Sequence, residues 1–170
     1  MSTKLNSVKL NLDDDKMTAG KAARSRYHHG DLRAEDVLEV IERTRATNLG
    51  VTLDNVNLIR VGDDMIEGTR ALAPRTLLVQ LKDHPPTPDP TVWGGPLSVA
   101  LGEGVAPLGA ILGVLADAGF DGPVCVELAS LGGGEVDELA MIERSVDWLR
   151  AHVPGAASPE RHQPQEVDHG

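Results

Sequence analysis

The sequence predicts an α/β fold of about three to four βα units built on a parallel sheet. Two observations carry this expectation. Three short runs, "LGVTLDNVNL" at 49–58, "TLLVQLKD" at 76–83 and "PVCVELA" at 123–129, place apolar residues at consecutive positions, the pattern of strands covered on both faces. Segments of helical period lie between and around them, so helix and strand alternate along the chain.

Taken in order, "AEDVLEVIERTRA" sets Val37, Leu38, Ile41 and Thr44 on one helical stripe. A strand follows at 49–58, then a connecting helix, then the strand at 76–83. Residues 84–105 form a long connection dense in Pro and Gly, and connections of that length inside a compact domain are usually functional or mobile. "APLGAILGVLADAGF" carries the stripe Leu108, Ile111, Leu112 and Leu115, and Gly119 is placed to end that helix before "DGP" turns into the strand at 123–129. In "GEVDELAMIERSVDWLRAHV" the core-facing stripe is expected to be Val136, Leu139, Ile142, Val146 and Leu149. The crossovers should be right-handed. Residues 1–25 and 154–170 are polar and lack periodicity, so an ordered domain is expected over 26–153 between poorly ordered ends.

Composition narrows the function classes. The chain has 170 residues, 41% of them hydrophobic and 25% charged, enough for one globular domain. With two Trp, one Tyr and one Phe, the core must come from Leu, Val, Ile and Ala, and a base-stacking surface is disfavoured. A formal charge of −10 opposes a nucleic-acid partner, whose affinity derives from clustered Lys and Arg. No stretch has the length and apolarity of a signal peptide or a membrane span, which makes the cytoplasm the expected compartment. Cys125 is the single cysteine, so no disulfide or cysteine-based zinc site forms within one chain, and its setting between valines reads as core.

Each strand carries a polar residue near its C-terminal end: Asp54, Gln80 and Glu127. In parallel βα architectures ligands bind at that end. Within "VQLKD", alternation sets Gln80 and Lys82 on one face and Val79, Leu81 and Asp83 on the other. Carboxylates on buried strands need a counter-charge. A divalent ion such as Mg²⁺ or Mn²⁺ would serve Asp54 and Glu127, and so would a salt bridge to Lys82 or the capping of a loop. Spacing alone leaves these alternatives open.

The segments "LGVTLDNVN", "LLVQLKDH" and "LGEGVAPLGAILGVLADAGFDGPVCVELA" together resemble the C-terminal half of the sugar phosphate isomerase/epimerase family, the xylose isomerase-like TIM barrels. The resemblance extends over about residues 27–150 and implies a partial (β/α)8 barrel. It implies that Asp54 matches a metal-binding aspartate, that Asn57 falls at a substrate-binding position, and that Lys82 and Asp83 match a His-x-Lys-Asp strand motif. It further implies that Glu127 matches a glutamate that both ligates metal and transfers a proton. Gln80 stands where that motif has its metal-ligating histidine, a change to a weaker ligand. Upstream, "YHHGDLRAEDV" resembles the family's Glu-Asn-His-Gly segment, with Tyr27 in place of the first glutamate.

The expected function is therefore a sugar or sugar-phosphate isomerase or epimerase that uses a divalent metal, Mn²⁺ or Mg²⁺, and carboxylate acid/base chemistry. Catalysis would rest on Glu127, substrate binding on Asn57 and Lys82, and metal binding on Asp54, Glu127 and Gln80. The alternative is a non-catalytic fragment or pseudoenzyme that acts in binding or assembly. A related barrel endonuclease for abasic DNA is opposed by the charge and by the missing strand histidine. His28, His29 and His84 read as exposed or loop residues, and Trp93 as packing for the long loop. Three strands and the relic of a fourth leave a sheet with two open edges, so the chain pairs with itself or another chain, or is a truncated remnant.

Overall fold

The protein is described by a computed structural model in which residues 25–28, 32–86, 98–128 and 137–153 are defined, the first of these stretches by its backbone. A four-stranded parallel sheet runs in sequence order. Its strands are β1 (Ser25–His28), β2 (Leu49–Asp54), β3 (Thr76–Leu81) and β4 (Val124–Val126). The helices are α1 (Ala34–Thr44), α2 (Asn55–Arg60), α3 (Met65–Leu72), α4 (Leu108–Asp117) and α5 (Glu138–His152). The expected βα alternation and parallel sheet are both present, as a partial barrel of four strands.

Register separates the two faces of the sheet. Leu53 pairs with Val79, Val79 with Val124, and Leu81 with Val126. Val51, Leu53, Val79 and Leu81 are fully buried and join Val37, Ile41, Leu58, Leu72, Ile111 and Leu115 in one core beneath the helices. The opposite face carries Thr52, Asp54, Leu78, Gln80, Cys125 and Glu127, since Thr52 pairs with Leu78, Asp54 with Gln80 and Gln80 with Cys125. One face is thus apolar and helix-covered, and the other gathers the polar strand residues. Gly50 permits β2 and β3 to approach: a Cβ there would lie 2.5 Å from Leu77 Cγ and 2.6 Å from the Arg75 carbonyl oxygen.

Three local expectations are corrected. The run at 49–58 is not one strand, because β2 ends at Asp54 and residues 55–60 turn into α2. The Asp54 carboxylate accepts from the main-chain N–H groups of Val56 and Asn57, which is an N-cap strong enough to end a strand inside an apolar run. The single helix expected between β2 and β3 is two, α2 and α3, the second capped by Asp64 through Ile66 and Glu67.

The third correction concerns α5. It buries Met141 and Ser145, whereas Leu139 and Ile142 of the expected core stripe stay 67% and 42% exposed. Ser145 fixes this rotation. Its Oγ donates to the Met141 carbonyl at 2.7 Å and accepts from the Leu101 N–H at 3.0 Å, while Trp148 lies over Gly102, whose φ of 86° and lack of Cβ make room for the ring. On α4 the expected stripe is packed: Leu108, Ile111 and Leu115 are buried, Leu112 is half-buried, and Gly119 follows with φ 73°. On α1, Val37 and Ile41 are buried and Leu38 half-buried, but Thr44 is exposed and its hydroxyl donates to the Ile41 carbonyl. The expectations for residues 1–24 and 154–170, and those for His29, Trp93 and Val136, lie outside the described residues.

Candidate functional site

The C-terminal ends of β2, β3 and β4 bring Asp54, Lys82 and Glu127 into one ion-paired chain. Lys82 Nζ lies 2.8 Å from Asp54 Oδ2 and 2.9 Å from Glu127 Oε1. The Asp54 side chain is fully buried, Lys82 is nearly so, and Glu127 is one-third exposed, so the chain runs from the interior toward solvent. Burial alone would lower the Lys82 pKa. The charges of Asp54 and Glu127 and the hydrogen bonds to both outweigh it, and the net shift is upward. Lys82 is therefore held as an ammonium, and the two carboxylates share its charge.

Gln80 stands on the same face, level with Asp54 in the sheet register. Its Oε1 and Glu127 Oε2 are buried and accept no hydrogen bond from the described residues. Buried acceptors left in this state are costly and mark sites that take a partner from outside.

Two side chains support this group from behind. Asn55, fully buried, donates from Nδ2 to the Lys82 carbonyl and accepts from the Lys82 N–H, each at 2.9 Å. It thereby fixes the backbone of Lys82 after β3 has ended. Asp83 points to the opposite side and accepts from four main-chain N–H groups: His84 and Ala106 on Oδ1 at 2.8 and 3.0 Å, and Gly102 and Gly104 on Oδ2, each at 2.9 Å. The Asp83 carboxylate organises the "LGEG" turn. Gly104 has no substitute there, because a Cβ would collide with Asp83 Oδ1 and the His84 carbonyl oxygen.

Of the residues singled out from the sequence, Asp54, Gln80, Lys82 and Glu127 share one face and one end of the sheet. Asn57 sits in the first turn of α2, where its N–H bonds to Asp54 and its Oδ1 accepts from Arg60 at 3.1 Å. His84 is buried with Nδ1 2.8 Å from the Pro85 carbonyl oxygen. Cys125 is half-buried with its thiol 3.4 Å from the Val79 carbonyl oxygen. Asn55 was not singled out by sequence reasoning. The "DN" pair at the end of an apolar run was its only signal, and nothing local announces a partner 27 positions away.

The donor types suit a hard divalent ion, since Asp54, Gln80 and Glu127 offer only oxygen. The orphaned oxygens of Gln80 and Glu127 fit that use. The set is short in number: among the described residues no group of three His, Cys, Asp or Glu side chains could hold a metal, and Lys82 already provides positive charge to both carboxylates. No described helix is long and apolar enough to cross a membrane.

The family model for the xylose isomerase-like TIM barrel matches residues 17–152. Among curated proteins, none matches the sequence. Among solved structures, a xylose isomerase domain protein from Planctomyces limnophilus is similar with 27% identity and a TM-score of 0.59, over 73% of this chain and 42% of that one. A xylose isomerase-like TIM barrel protein from Mycobacterium smegmatis in complex with magnesium has 19% identity and a TM-score of 0.56, over 74% of this chain and 41% of that one. An L-ribulose 3-epimerase has 18% identity and a TM-score of 0.57, over 79% of this chain and 48% of that one. The chain spans less than half the length of these structures. With a family match across most of its length, and a parallel sheet whose polar residues converge at the strand ends, the chain belongs to the xylose isomerase-like TIM barrel family.

Proposed function

We propose that this chain forms the C-terminal half of a site of the isomerase/epimerase type, acting on a small sugar or sugar phosphate, with Glu127 as the proton-transferring group. The observation that carries the reading is the state of Glu127. One of its oxygens is held by Lys82 at 2.9 Å and the other is buried without a hydrogen-bond partner among the described residues, on a side chain that is one-third exposed. A carboxylate so placed is oriented through one oxygen while the other can take a proton from a carbon next to a carbonyl.

Lys82, kept charged by its two carboxylates, would stabilise negative charge developing on a substrate oxygen. Asn57 offers its side-chain NH₂ to a hydroxyl. Asp54, Gln80 and Glu127 are the residues that would hold a divalent ion, Mg²⁺ or Mn²⁺ by donor type. Such an ion supplies Lewis-acid polarisation of the substrate carbonyl when bound. The sugar substrate is suggested by the family and by similarity to an L-ribulose 3-epimerase.

The test is exchange of substrate carbon-bound hydrogen for deuterium. The full chain is incubated in D₂O with Mn²⁺ and a panel of ketoses, aldoses and their phosphates, and followed by proton NMR. Exchange next to a carbonyl that is lost in Glu127→Gln supports the reading. No exchange with any member of the panel sinks it.

A second reading, a non-catalytic binding module, is favoured by Lys82 pairing with both Asp54 and Glu127. Sugar binding without exchange, retained in Asp54→Asn, would select it.

A further inference from the structure

The inner face of the sheet is half finished. Leu78, Gln80, Cys125 and Glu127 lie on it and are half-buried, whereas Thr52 and Asp54 on the same face are buried. On the helix-covered face Val79 and Leu81 are fully buried but Val124 and Val126 are half-buried, so exposure grows toward β4. Leu78 belongs to no part of the core. At the same end of the sheet, β4 has β3 on one side and no described strand on the other. An apolar groove lined by Leu112, Leu115, Phe120, Val124 and Leu149 opens beside it between α4 and α5. On α5, Leu139 and Ile142 expose an apolar pair. An apolar inner-face residue, a strand edge with no neighbour among the described residues and an exposed apolar pair on α5 are three signs of a surface that expects protein.

We propose that the surface is covered by a second copy of this chain, and that two copies close one eight-stranded parallel barrel. The strand arithmetic and the symmetry favour a copy over another occupant. The sheet has four strands in the order β1-β2-β3-β4, all parallel, and a barrel of this architecture needs eight. A two-fold axis along the barrel sets β4 of each copy beside β1 of the other in parallel orientation. Both open edges are thereby removed in one isologous arrangement.

Any other partner would have to present four parallel strands with two edges of matching direction, which a second copy does by construction. The same rotation brings Leu139 and Ile142 of α5 toward the partner's α1. It also encloses the unpartnered oxygens of Gln80 and Glu127 within a barrel, so the site described above is incomplete without the second copy. The inference stands on the sheet and on α5 and does not depend on the proposed reaction.

The experiment is sedimentation velocity on the full chain across a hundredfold range of concentration, with the double variant Leu139→Glu/Ile142→Glu alongside. The wild type is expected at twice its 18.1 kDa mass, and the variant at the monomer mass with its far-ultraviolet circular dichroism retained, since both residues are exposed within a single chain. A wild type that stays monomeric overturns the proposal. A variant that stays dimeric overturns it as well.

Hydrogen exchange of the wild type gives a reading that needs no variant. The amides of residues 25–28 and 124–126 should gain protection together as concentration rises through the dimer transition. Protection that is independent of concentration, or a change at only one edge, excludes closure through both edges. Absence of sugar turnover in a dimeric wild type would count against the proposed reaction and leave the barrel intact.

Discussion

Asn55 and Lys82 are joined by two hydrogen bonds of 2.9 Å, donated in opposite directions between the carboxamide of one and the main chain of the other. Replacing Asn55 with Ala leaves a buried N–H and a buried C=O of Lys82 without partners. The expected loss is about 2–4 kcal/mol of stability, read as a lowered urea midpoint with an unchanged slope. A loss below about 0.5 kcal/mol would mean that water substitutes fully for the side chain.

Lys82→Met removes the cation that two carboxylates share. Removing one partner of a buried pair typically costs about 3–5 kcal/mol, and Asp54, fully buried, has no route to solvent. The variant should be markedly destabilised. A melting temperature equal to wild type across pH 5–8 would contradict the ion-paired chain.

The raised Lys82 pKa also fixes the sign of an alkaline dependence. The group is more basic folded than unfolded, so its contribution is complete below its unfolded value of about 10.4. It is lost as pH climbs through the higher folded value. Wild type should therefore lose stability above about pH 10 more steeply than Lys82→Met. Parallel alkaline profiles would show that the ammonium is not the group responsible.

Asp83→Ala should unfasten the turn that carries Gly102, Gly104 and Ala106, since three of the four N–H groups it accepts come from that turn. A cost of about 3 kcal/mol or more is expected, because hydrogen bonds to an ionised acceptor are the stronger kind. Asp83→Asn, which keeps one acceptor oxygen, should lie between the two. Equal melting temperatures for Ala and wild type would remove Asp83 from its role in holding the turn.

If Asp54, Gln80 and Glu127 hold a divalent ion, saturating Mn²⁺ at about a hundred times its dissociation constant should stabilise the native state by about 2.7 kcal/mol. For a chain of this size that is about 5–10 °C in melting temperature. Gln80→Ala should abolish the shift and Gln80→His should enlarge it, imidazole being the better ligand for most transition metals. A shift unchanged in Gln80→Ala would move the ion elsewhere.

Much of this architecture was legible in the residues. Consecutive apolar positions gave the strands β2, β3 and β4, but of these only β2 is buried nearly throughout, while β3 is buried in part and β4 is half-buried. Each strand has a polar residue near its C-terminal end, Asp54, Gln80 and Glu127, and this was the reason to expect the three together. The structure brings them to one face.

What stayed hidden was non-local. The apolar run through Val51, Leu53, Val56 and Leu58 conceals a strand-to-helix turn made by the Asp54 cap. The expected α5 stripe has helical period, and Leu149 packs against the core, but Leu139 and Ile142 are turned away from it because Ser145 and Trp148 face partners some 40 residues upstream. Periodicity identifies an apolar face without saying which neighbour covers it.

The main chain at Asp83 has a further effect. The chain leaves the sheet at Asp83 and returns at Val99, where the Val99 N–H bonds to the Asp83 carbonyl at 3.1 Å. Val105 then donates to the His84 carbonyl at 2.9 Å. The excursion between residues 84 and 99 is therefore tied off at its base by main-chain bonds that are indifferent to what lies between them. A sequence inserted, deleted or exchanged within it would leave the strand ends and the "LGEG" turn in place. This neck is the natural point at which the molecule could be re-equipped, by evolution or by grafting, while its scaffold stays unchanged.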